Sequence, residues 1–495
     1  MFEILLILTA VVIVSGMWLG YRRMRDPFVP AVVFAPMLAY MYVYSPAMLQ
    51  WGGHLDRFFE PDTLAFVQMV NLAFVAIFCV GLLPRISQEM TEKGSVGLSS
   101  TEAFVDPATQ QVLFRMASVI GWLSLLVFIW LVIRAGGPVH VFSQAKVYIG
   151  HPIGYVSELP MLAYPAILLL AVSLQGRRVG IEHIILALLF ALPHLSVGLI
   201  GNRRGPTFLI LLTLMVAWYV ARQKRPTLRT AVSGVVILGM IMLLLVVNRQ
   251  VERAGGDAEV DSTRVMSQLT FEGAQSGQEY IYAGGLILTA SGTGEYYWGR
   301  RWFMQFVLRP FPSALWPSMY DDLGFGDMVR DPGHAGFTEA QWEESAGFLP
   351  PRGTAGGIAA DLFREWGWLG LVSAFLIGKF YSSLWRKFAT VGGLWTIMYM
   401  IALALSVYLV SQSVGAWLYR VMMILIPTWL AWRYFVAPRM TRAMPDEAAP
   451  LPIDEQPQQL HGWLAGPPVS RPYIADEAER AQQARHENPS AAERW

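Results

Sequence analysis

The chain has 495 residues, of which 54% are hydrophobic and 15% charged, with a mean hydropathy of +0.42 and a formal net charge of +1 at pH 7. Because soluble domains are less apolar and about a quarter charged, this composition excludes a soluble globular enzyme, and the missing basic surplus leaves a nucleic-acid partner without electrostatic support. The single cysteine, Cys79, excludes an intrachain disulfide.

Apolar runs of helix length follow one another along the chain. A transmembrane helix needs roughly 20 such residues, because the hydrocarbon core is about 30 Å thick. The runs predict an all-α, polytopic integral membrane protein with about eleven transmembrane helices. They lie near residues 3–20, 28–48, 64–84, 112–133, 160–175, 182–200, 206–221, 230–247, 362–384, 393–411 and 416–436. The first run lacks a basic leader and a cleavage site, so we interpret it as a retained helix.

Loops rich in lysine and arginine alternate along the chain with loops that carry few of them. Positive residues in short loops stay in the cytoplasm, so the loops that carry lysine and arginine are predicted to be cytoplasmic. These residues are Arg22, Arg23, Arg25, Arg85, Lys93, Arg177, Arg178, Arg222, Lys224, Arg225, Arg229, Arg386, Lys387, Arg433, Arg439 and Arg442. The N-terminus is then outside and the C-terminus inside.

This pattern divides the chain into four parts. Residues 1–247 form an N-terminal transmembrane bundle of about eight helices, and 248–356 form one long extracytoplasmic loop. Residues 357–437 form about three C-terminal transmembrane helices, and 438–495 are predicted to be a disordered cytoplasmic tail. Within the loop, the run Tyr280–Ser291 is too short to span, which predicts a re-entrant or interfacial helix.

Two adjacent arginines, Arg203 and Arg204, occupy the short external turn Gly-Asn-Arg-Arg-Gly-Pro-Thr between two predicted helices. Charges at membrane depth are costly and mark functional sites by default, and the positive-inside rule disfavours them in such a turn. Two guanidinium groups suit a diphosphate, since each offers bidentate hydrogen bonds. The alternative is that both side chains reach lipid headgroups and anchor the turn.

A second candidate is the run PRGTAGGIAADLFREWGWLG, in which glycines open a helix that carries Asp361, Arg364 and Glu365. Residues three and four apart share a helix face, so a carboxylate and a guanidinium are predicted side by side at the external end of a transmembrane helix. The alternative is that the acids complement the helix dipole, with Arg364 as their partner. Arg420, near the external end of the last helix, is a third candidate, and its alternative is a structural pair with a neighbouring acid.

The long external segment interleaves arginines with aromatic residues in the stretch GEYYWGRRWFMQFVLRPFPSALWPSMY. Aromatic faces such as Trp316, together with Arg301 and Arg309, suit sugars that adjoin a phosphate. The alternative is an interfacial aromatic belt, which we prefer for Trp298 and Trp302. The histidines lack metal-ligand spacing, and the sequence contains no P-loop or GxSxG motif, so no metal and no cofactor are predicted.

Three of these features together resemble the oligosaccharide repeat-unit polymerases, or Wzy-type O-antigen polymerases, of bacterial envelopes. They are the Gly-Asn-Arg-Arg turn, the segment from Phe311 to Pro317 and the stretch Asp361–Gly367. With the topology, the resemblance covers residues 1–436. The chain departs from the family pattern at Ser313, where arginine is frequent, and at Asp361, where glutamate is usual.

The resemblance implies a metal- and nucleotide-independent glycosyltransferase in the bacterial inner membrane, which makes O-antigen, capsule or exopolysaccharide. Donor and acceptor are polyprenyl-diphosphate-linked oligosaccharides, and a chain-length regulator and a flippase are partners. Arg203 and Arg204 would stabilise the leaving diphosphate, and Asp361 would accept the proton of the acceptor hydroxyl. The residues expected to bind substrate are Arg301, Arg309, Arg352, Arg364, Arg420 and Trp316.

Two other functions remain open. A ligase that transfers finished glycan to another acceptor would share the external arginines and the lipid diphosphate donor. A flippase or other transporter of lipid-linked glycans would need polar groups in the middle of the membrane, whereas most predicted helices have apolar centres.

Overall fold

The architecture is taken from a computed structural model. It describes residues 1–84, 107–142, 154–200, 204–222, 230, 233–234, 237, 240–241, 278–308, 316–326, 335–350, 354–392 and 394–437. Within these ranges the secondary structure is helical, and no strand is present. Residues 1–439 belong to one compact unit, and Met440–Trp495, which include most of the predicted tail, lie outside the described residues.

The described helices follow the predicted order. They are α1 (Phe2–Met24), α2 (Pro30–Trp51), α3 (Pro61–Leu82), α4 (Pro107–Arg134), α5 (Glu158–Ser173), α6 (Ile181–Ile200), α7 (Arg204–Ala221), α8 (Gln278–Thr293), α9 (Arg300–Phe303, with a π-helical continuation Met304–Leu308), α10 (Met319–Asp322), α11 (Glu339–Ala346), α12 (Gly357–Trp366), α13 (Gly370–Thr390), α14 (Leu394–Ser411) and α15 (Val414–Ala431, continued by Trp432–Val436). Short helical turns cover Leu55–Arg57, Pro138–Phe142 and Gly367–Leu369. Helices α2, α3 and α4 begin at a proline, whose fixed φ and missing N–H suit the first helical position.

Ten of the eleven predicted runs coincide with described helices. Eight segments in the described residues are long and apolar enough to cross a membrane, and the two others, Glu158–Ser173 and Gly205–Ala221, are apolar but shorter. The eleventh run, 230–247, lies largely outside the described residues. The described chain is therefore all-helical and has the make-up of a polytopic membrane protein.

The core forms where two groups of helices meet. Helices α1 and α13 pack along α3, and α5 packs between α4 and α7, while α14 and α15 contact both groups. At the α3–α13 crossing the backbones touch, because a Cβ atom on Gly378 would lie 2.6 Å from the carbonyl oxygen of Phe78. Small residues permit such close approach between helices in a membrane.

This crossing gives a stability prediction. Gly378→Val is expected to destabilise the protein by about 1–3 kcal/mol, because the added carbons would push α13 away from α3. Thermal unfolding in detergent measures the effect. Leu376→Phe is the control, since Leu376 lies on the same helix and is 58% exposed. Equal melting temperatures for Gly378→Val and the wild type would contradict this account of the crossing.

Helices α12 and α13 form one apolar segment with a break in the middle. The break falls at Gly367, whose φ of 55° and ψ of −138° lie in a region that essentially only glycine occupies. The sequence predicts one transmembrane helix over 362–384 that carries Asp361 at its opening. The structure instead places Asp361 on a separate ten-residue helix, α12, that ends before α13 begins.

Helix α8 contains the segment predicted to re-enter the membrane. Its 16 residues are too few to span a bilayer, and it packs against α3, α11 and α12. The hydroxyl of Tyr280 donates a hydrogen bond of 2.9 Å to Oε1 of Gln68 on α3, and both side chains are buried. Part of the long loop is therefore packed into the helical bundle, and its re-entrant character stays a prediction.

Candidate functional site

Helix α12 buries three charged side chains on one face. Asp361, Arg364 and Glu365 are 1%, 3% and 0% exposed, respectively. Their spacing of three and four residues puts them on adjacent turns, and Arg364 donates a hydrogen bond to Oδ1 of Asp361. Burial of a charge costs free energy unless a partner and hydrogen bonds compensate, so the other groups around these three decide whether the cluster is stable.

The long loop supplies the fourth charge. Arg301, on α9, donates from Nη1 to Oδ1 of Asp361 at 3.0 Å and to Oε1 of Glu365 at 2.9 Å. Burial alone would lower the pKa of Arg301, but the two carboxylates outweigh burial and raise that pKa well above its usual value. Two arginines thus face two carboxylates, and the cluster has no net charge.

The carboxylate of Asp361 also caps the last helix. Its Oδ2 atom accepts hydrogen bonds from the backbone N–H groups of Val414, at 2.9 Å, and Gly415, at 3.4 Å. These N–H groups belong to the first turn of α15, which has no helical partners for them and carries the positive end of the helix dipole. Asp361 therefore connects α12, α9 and α15, and both of its oxygens accept hydrogen bonds.

Glu365 fixes the loop that precedes α9. Its Oε2 atom accepts from the N–H of Gly299 at 3.2 Å, and its backbone oxygen accepts from the N–H of Trp298 at 2.7 Å. The backbone oxygen of Arg364 accepts from the N–H of Tyr297 at 3.2 Å. Burial raises the pKa of the Tyr297 hydroxyl to about 12. Three successive loop residues are thus bonded to the end of α12, which holds Arg301 over the carboxylates.

Arg420 differs from the arginines of this cluster. It donates a hydrogen bond of 2.8 Å to the backbone oxygen of Ala416 and also bonds to the hydroxyl of Tyr408, and its guanidinium carbon lies 3.9 Å from the centre of the Tyr408 ring. No carboxylate pairs with it among the residues that the structure describes. The guanidinium points toward the start of α15, since Ala416 directly follows Gly415, whose N–H bonds to Asp361. Arg420 therefore keeps donors for an anion at this end of α15.

The start of α7 adjoins the same place. A Cβ atom on Gly205 would lie 2.8 Å from the hydroxyl oxygen of Tyr408, so the first turn of α7 lies against the ring that Arg420 covers. Arg204 is the first residue of α7. The structure thus brings the backbone of Arg204 and the side chain of Arg420 to one junction, whereas Arg203 and the side chain of Arg204 lie outside what the structure describes.

The remaining predicted residues divide into two groups. Arg203, Arg309 and Arg352 lie outside the described residues. Trp316 is 41% exposed and donates its indole N–H to Oδ2 of Asp322 at 2.7 Å, within its own turn of the loop. The structure therefore groups Asp361, Arg301 and Arg364, with Arg420 nearby on α15, and gives Trp316 a local partner instead.

Three contributions to this site were not predicted from the sequence. The sequence places Glu365 on the same helix face as Asp361 but gives no sign that it anchors the loop before α9. Tyr408 lies within an apolar helix, where no sequence signal separates it from other core tyrosines. Gln305 lies one turn after Arg301, and a Cβ atom on Gly415 would meet its Oε1 at 2.7 Å. The spacing of Arg301 and Gln305, four residues apart on a helical segment, is the only sequence signal for that contact.

The described residues together define a class, a helical protein with the make-up of a polytopic membrane protein and with a buried ionic cluster at the start of α15. Compared with protein-family models, with curated proteins and with solved structures, the chain matches none of them.

Proposed function

We propose that this protein is a membrane glycosyltransferase that polymerises polyprenyl-diphosphate-linked oligosaccharide repeat units. It acts at the outer face of the bacterial inner membrane, in an eleven-helix topology with the loop 248–356 outside the cytoplasm. The arginine turn at Arg203 and Arg204 and the ionic cluster at Asp361 then lie on the same external side, as the predicted orientation requires.

The arrangement around Arg420 is the observation that carries the proposal. Arg301 and Arg364 form salt bridges with carboxylates. Arg420 forms none in the described part of the chain. It lies beside the start of α7, where Arg204 and the positive end of a helix dipole are found. Guanidinium groups and a helix N-terminus are the recurrent ligands of phosphate oxygens, so this junction suits a lipid-linked diphosphate.

The reaction needs this positive charge beside the leaving group, which becomes more negative as it departs. The acceptor hydroxyl oxygen bonds to the anomeric carbon of the donor sugar, and the bond from this carbon to the diphosphate oxygen breaks. The electron pair leaves with the lipid diphosphate, and a base takes the hydroxyl proton. Arg203, Arg204 and Arg420 stabilise the charge that develops on the diphosphate, and they do so more strongly in a poorly hydrated site than in water.

The role of Asp361 follows from its partners. The family resemblance implies that Asp361 is the base, but each of its oxygens accepts two hydrogen bonds and its side chain is 2% exposed. Donors on both oxygens lower the basicity of a carboxylate. This geometry favours a positioning role, in which Asp361 holds Arg301 and Arg364 and aligns α9 with α15.

Polymer formation by the purified protein tests the proposal. Wild-type protein in lipid vesicles, incubated with a polyprenyl-diphosphate oligosaccharide, is expected to give a ladder of products on a gel without added metal or nucleotide. Arg203→Lys is expected to reduce the ladder by on the order of 100-fold, because lysine keeps the charge but loses the planar fork that binds two oxygens.

Arg23→Lys is the matched control, since Arg23 is an exposed arginine at the far end of α1. A ladder from Arg203→Lys equal to that of the wild type would contradict the assignment of the turn. A folded wild-type protein that transfers finished glycan to an unrelated acceptor, without elongating repeat units, would reassign the protein to the ligases.

A further inference from the structure

The helical bundle also contains an apolar cavity, which lies away from the ionic cluster. Helices α5, α6 and α7 enclose a cavity of about 210 Å³, and its lining is almost entirely apolar. Leu170 on α5, Ala187 on α6 and Leu214 on α7 are among the lining residues. Trp218 on α7 and Leu188 on α6, which also line it, are 40% and 46% exposed, so the cavity is open to the outside of the described helices between α6 and α7.

Arginines surround one end of this cavity. Arg178 directly precedes Val179, and Arg222 directly follows Ala221, and both of these apolar neighbours line the cavity. The guanidinium of Arg222 lies 3.9 Å from the centre of the Trp218 ring. Arg177 is the third arginine there, and all three are exposed.

Residues 163–222 of the sequence contain one acid, Glu182, whose side chain is 69% exposed and whose Oε1 lies 3.0 Å from Nδ1 of His183. With three arginines and one carboxylate, this end of the cavity, called the rim below, has a net positive charge. None of the three arginines pairs with a carboxylate among the described residues.

Hydrogen bonds fix the loop that carries two of these arginines. Gln175 is 2% exposed, and its Nε2 atom donates to the backbone oxygen of Val220 on α7 at 3.2 Å. Gln110 on α4 donates to the backbone oxygen of Gln175 at 2.8 Å. The loop between α5 and α6 is therefore tied to the end of α7, which keeps Arg177 and Arg178 near Arg222.

We infer that this cavity is a binding site for an anionic glycerophospholipid. One acyl chain occupies the apolar cavity, and the headgroup phosphate lies among Arg177, Arg178 and Arg222. Charge selects the ligand, because a zwitterionic lipid offers the same chains without the net negative charge that the rim complements. The site is on the side predicted to be cytoplasmic, opposite to the proposed glycosyltransferase site, and does not depend on that function.

Native mass spectrometry of the purified full chain tests this inference. The protein is titrated with phosphatidylglycerol and with phosphatidylcholine of identical acyl chains, and phosphatidylglycerol is expected to bind more tightly. Arg178→Gln/Arg222→Gln is expected to weaken phosphatidylglycerol binding by about 25-fold, since each arginine near an anionic headgroup contributes about five-fold in affinity. Ala187→Phe, which fills the cavity and keeps every arginine, is expected to weaken it as well.

The matched control is Arg22→Gln/Arg23→Gln. These arginines end α1 on the same predicted side, and Arg22 covers Trp18 at 4.8 Å in the way that Arg222 covers Trp218, but Trp18 does not line the cavity between α5, α6 and α7. The control is expected to change phosphatidylglycerol affinity less than about two-fold. Equal affinity for the two lipids, or equal losses in the control and the test variant, would overturn the inference. Displacement of phosphatidylglycerol by stoichiometric undecaprenyl phosphate would reassign the cavity to the polyprenyl carrier.

Discussion

Asp361→Ala is expected to lower the stability of the protein by about 3–5 kcal/mol, because it leaves buried guanidinium groups without their carboxylate. Arg364 is 3% exposed and bonds directly to Asp361, and Arg301 shares the same oxygen. The substitution also removes the cap of α15, where Val414 and Gly415 lose their acceptor. Thermal unfolding in detergent should show a large decrease in melting temperature, and the product ladder should disappear.

A second variant separates positioning from proton transfer. Asp361→Asn keeps an acceptor for the α15 N–H groups but loses the negative charge that holds two arginines. If Asp361 is a positioning residue, Asp361→Asn should lose stability and activity together, and Arg301→Gln in the same chain should add little to the loss, since the two act on one interaction. A base would instead give an inactive protein with wild-type stability.

The control for both variants is Asp322→Ala. Asp322 is a loop acid in a local turn, where it accepts hydrogen bonds from Ser318 and Trp316. These contacts are exposed, so its removal should change the melting temperature little. A wild-type melting temperature for Asp361→Ala would contradict the structural role of the cluster.

The helices were predictable because the bilayer imposes a simple rule on the sequence. Apolar runs of about 20 residues stand out wherever charges are confined to loops, and α3 and α14 lie within two or three residues of their predicted runs. The break at Gly367 was not predicted, because hydropathy averages over a window and does not register a single backbone angle. Helix α5 is shorter than a full span for a related reason, since a 3₁₀ segment, Gly154–Leu162, precedes its α-helical part.

The site was predictable only where its residues are near one another in the sequence. The spacing of Asp361, Arg364 and Glu365 alone placed their side chains on one helix face, and the structure has them there. The contact of Arg301 with Asp361 spans 60 residues and depends on how α9 packs on α12, which no local pattern encodes. The sequence names several arginines as equal candidates, and tertiary packing separates Arg301, which pairs with two carboxylates, from Arg420, which pairs with none among the described residues.

Arg420→Ala is expected to reduce polymer formation by on the order of 100-fold while lowering the melting temperature only slightly, because no carboxylate in the described chain depends on its guanidinium. Arg420 is half-buried, bonds to Ala416 in its own helix and contacts the ring and hydroxyl of the buried Tyr408. Arg420→Lys should lose nearly as much activity, since an ammonium group lacks the second donor of the fork. Initial rates at several donor concentrations measure the effect.

Substitutions of Asp361 and of Arg420 are expected to differ in their effects on stability and on activity. Asp361 on α12 caps the start of α15, and Arg420 lies about two turns into α15, yet one change should act on stability first and the other mainly on the reaction. Arg22→Lys is the control, because Arg22 also covers an aromatic ring, that of Trp18, but at the opposite predicted side of the membrane. A decrease in kcat with little change in KM would place Arg420 on the diphosphate in the transition state, where its charge is greatest. A wild-type rate for Arg420→Ala would contradict diphosphate binding at this junction. The proposed function would then lose its main support.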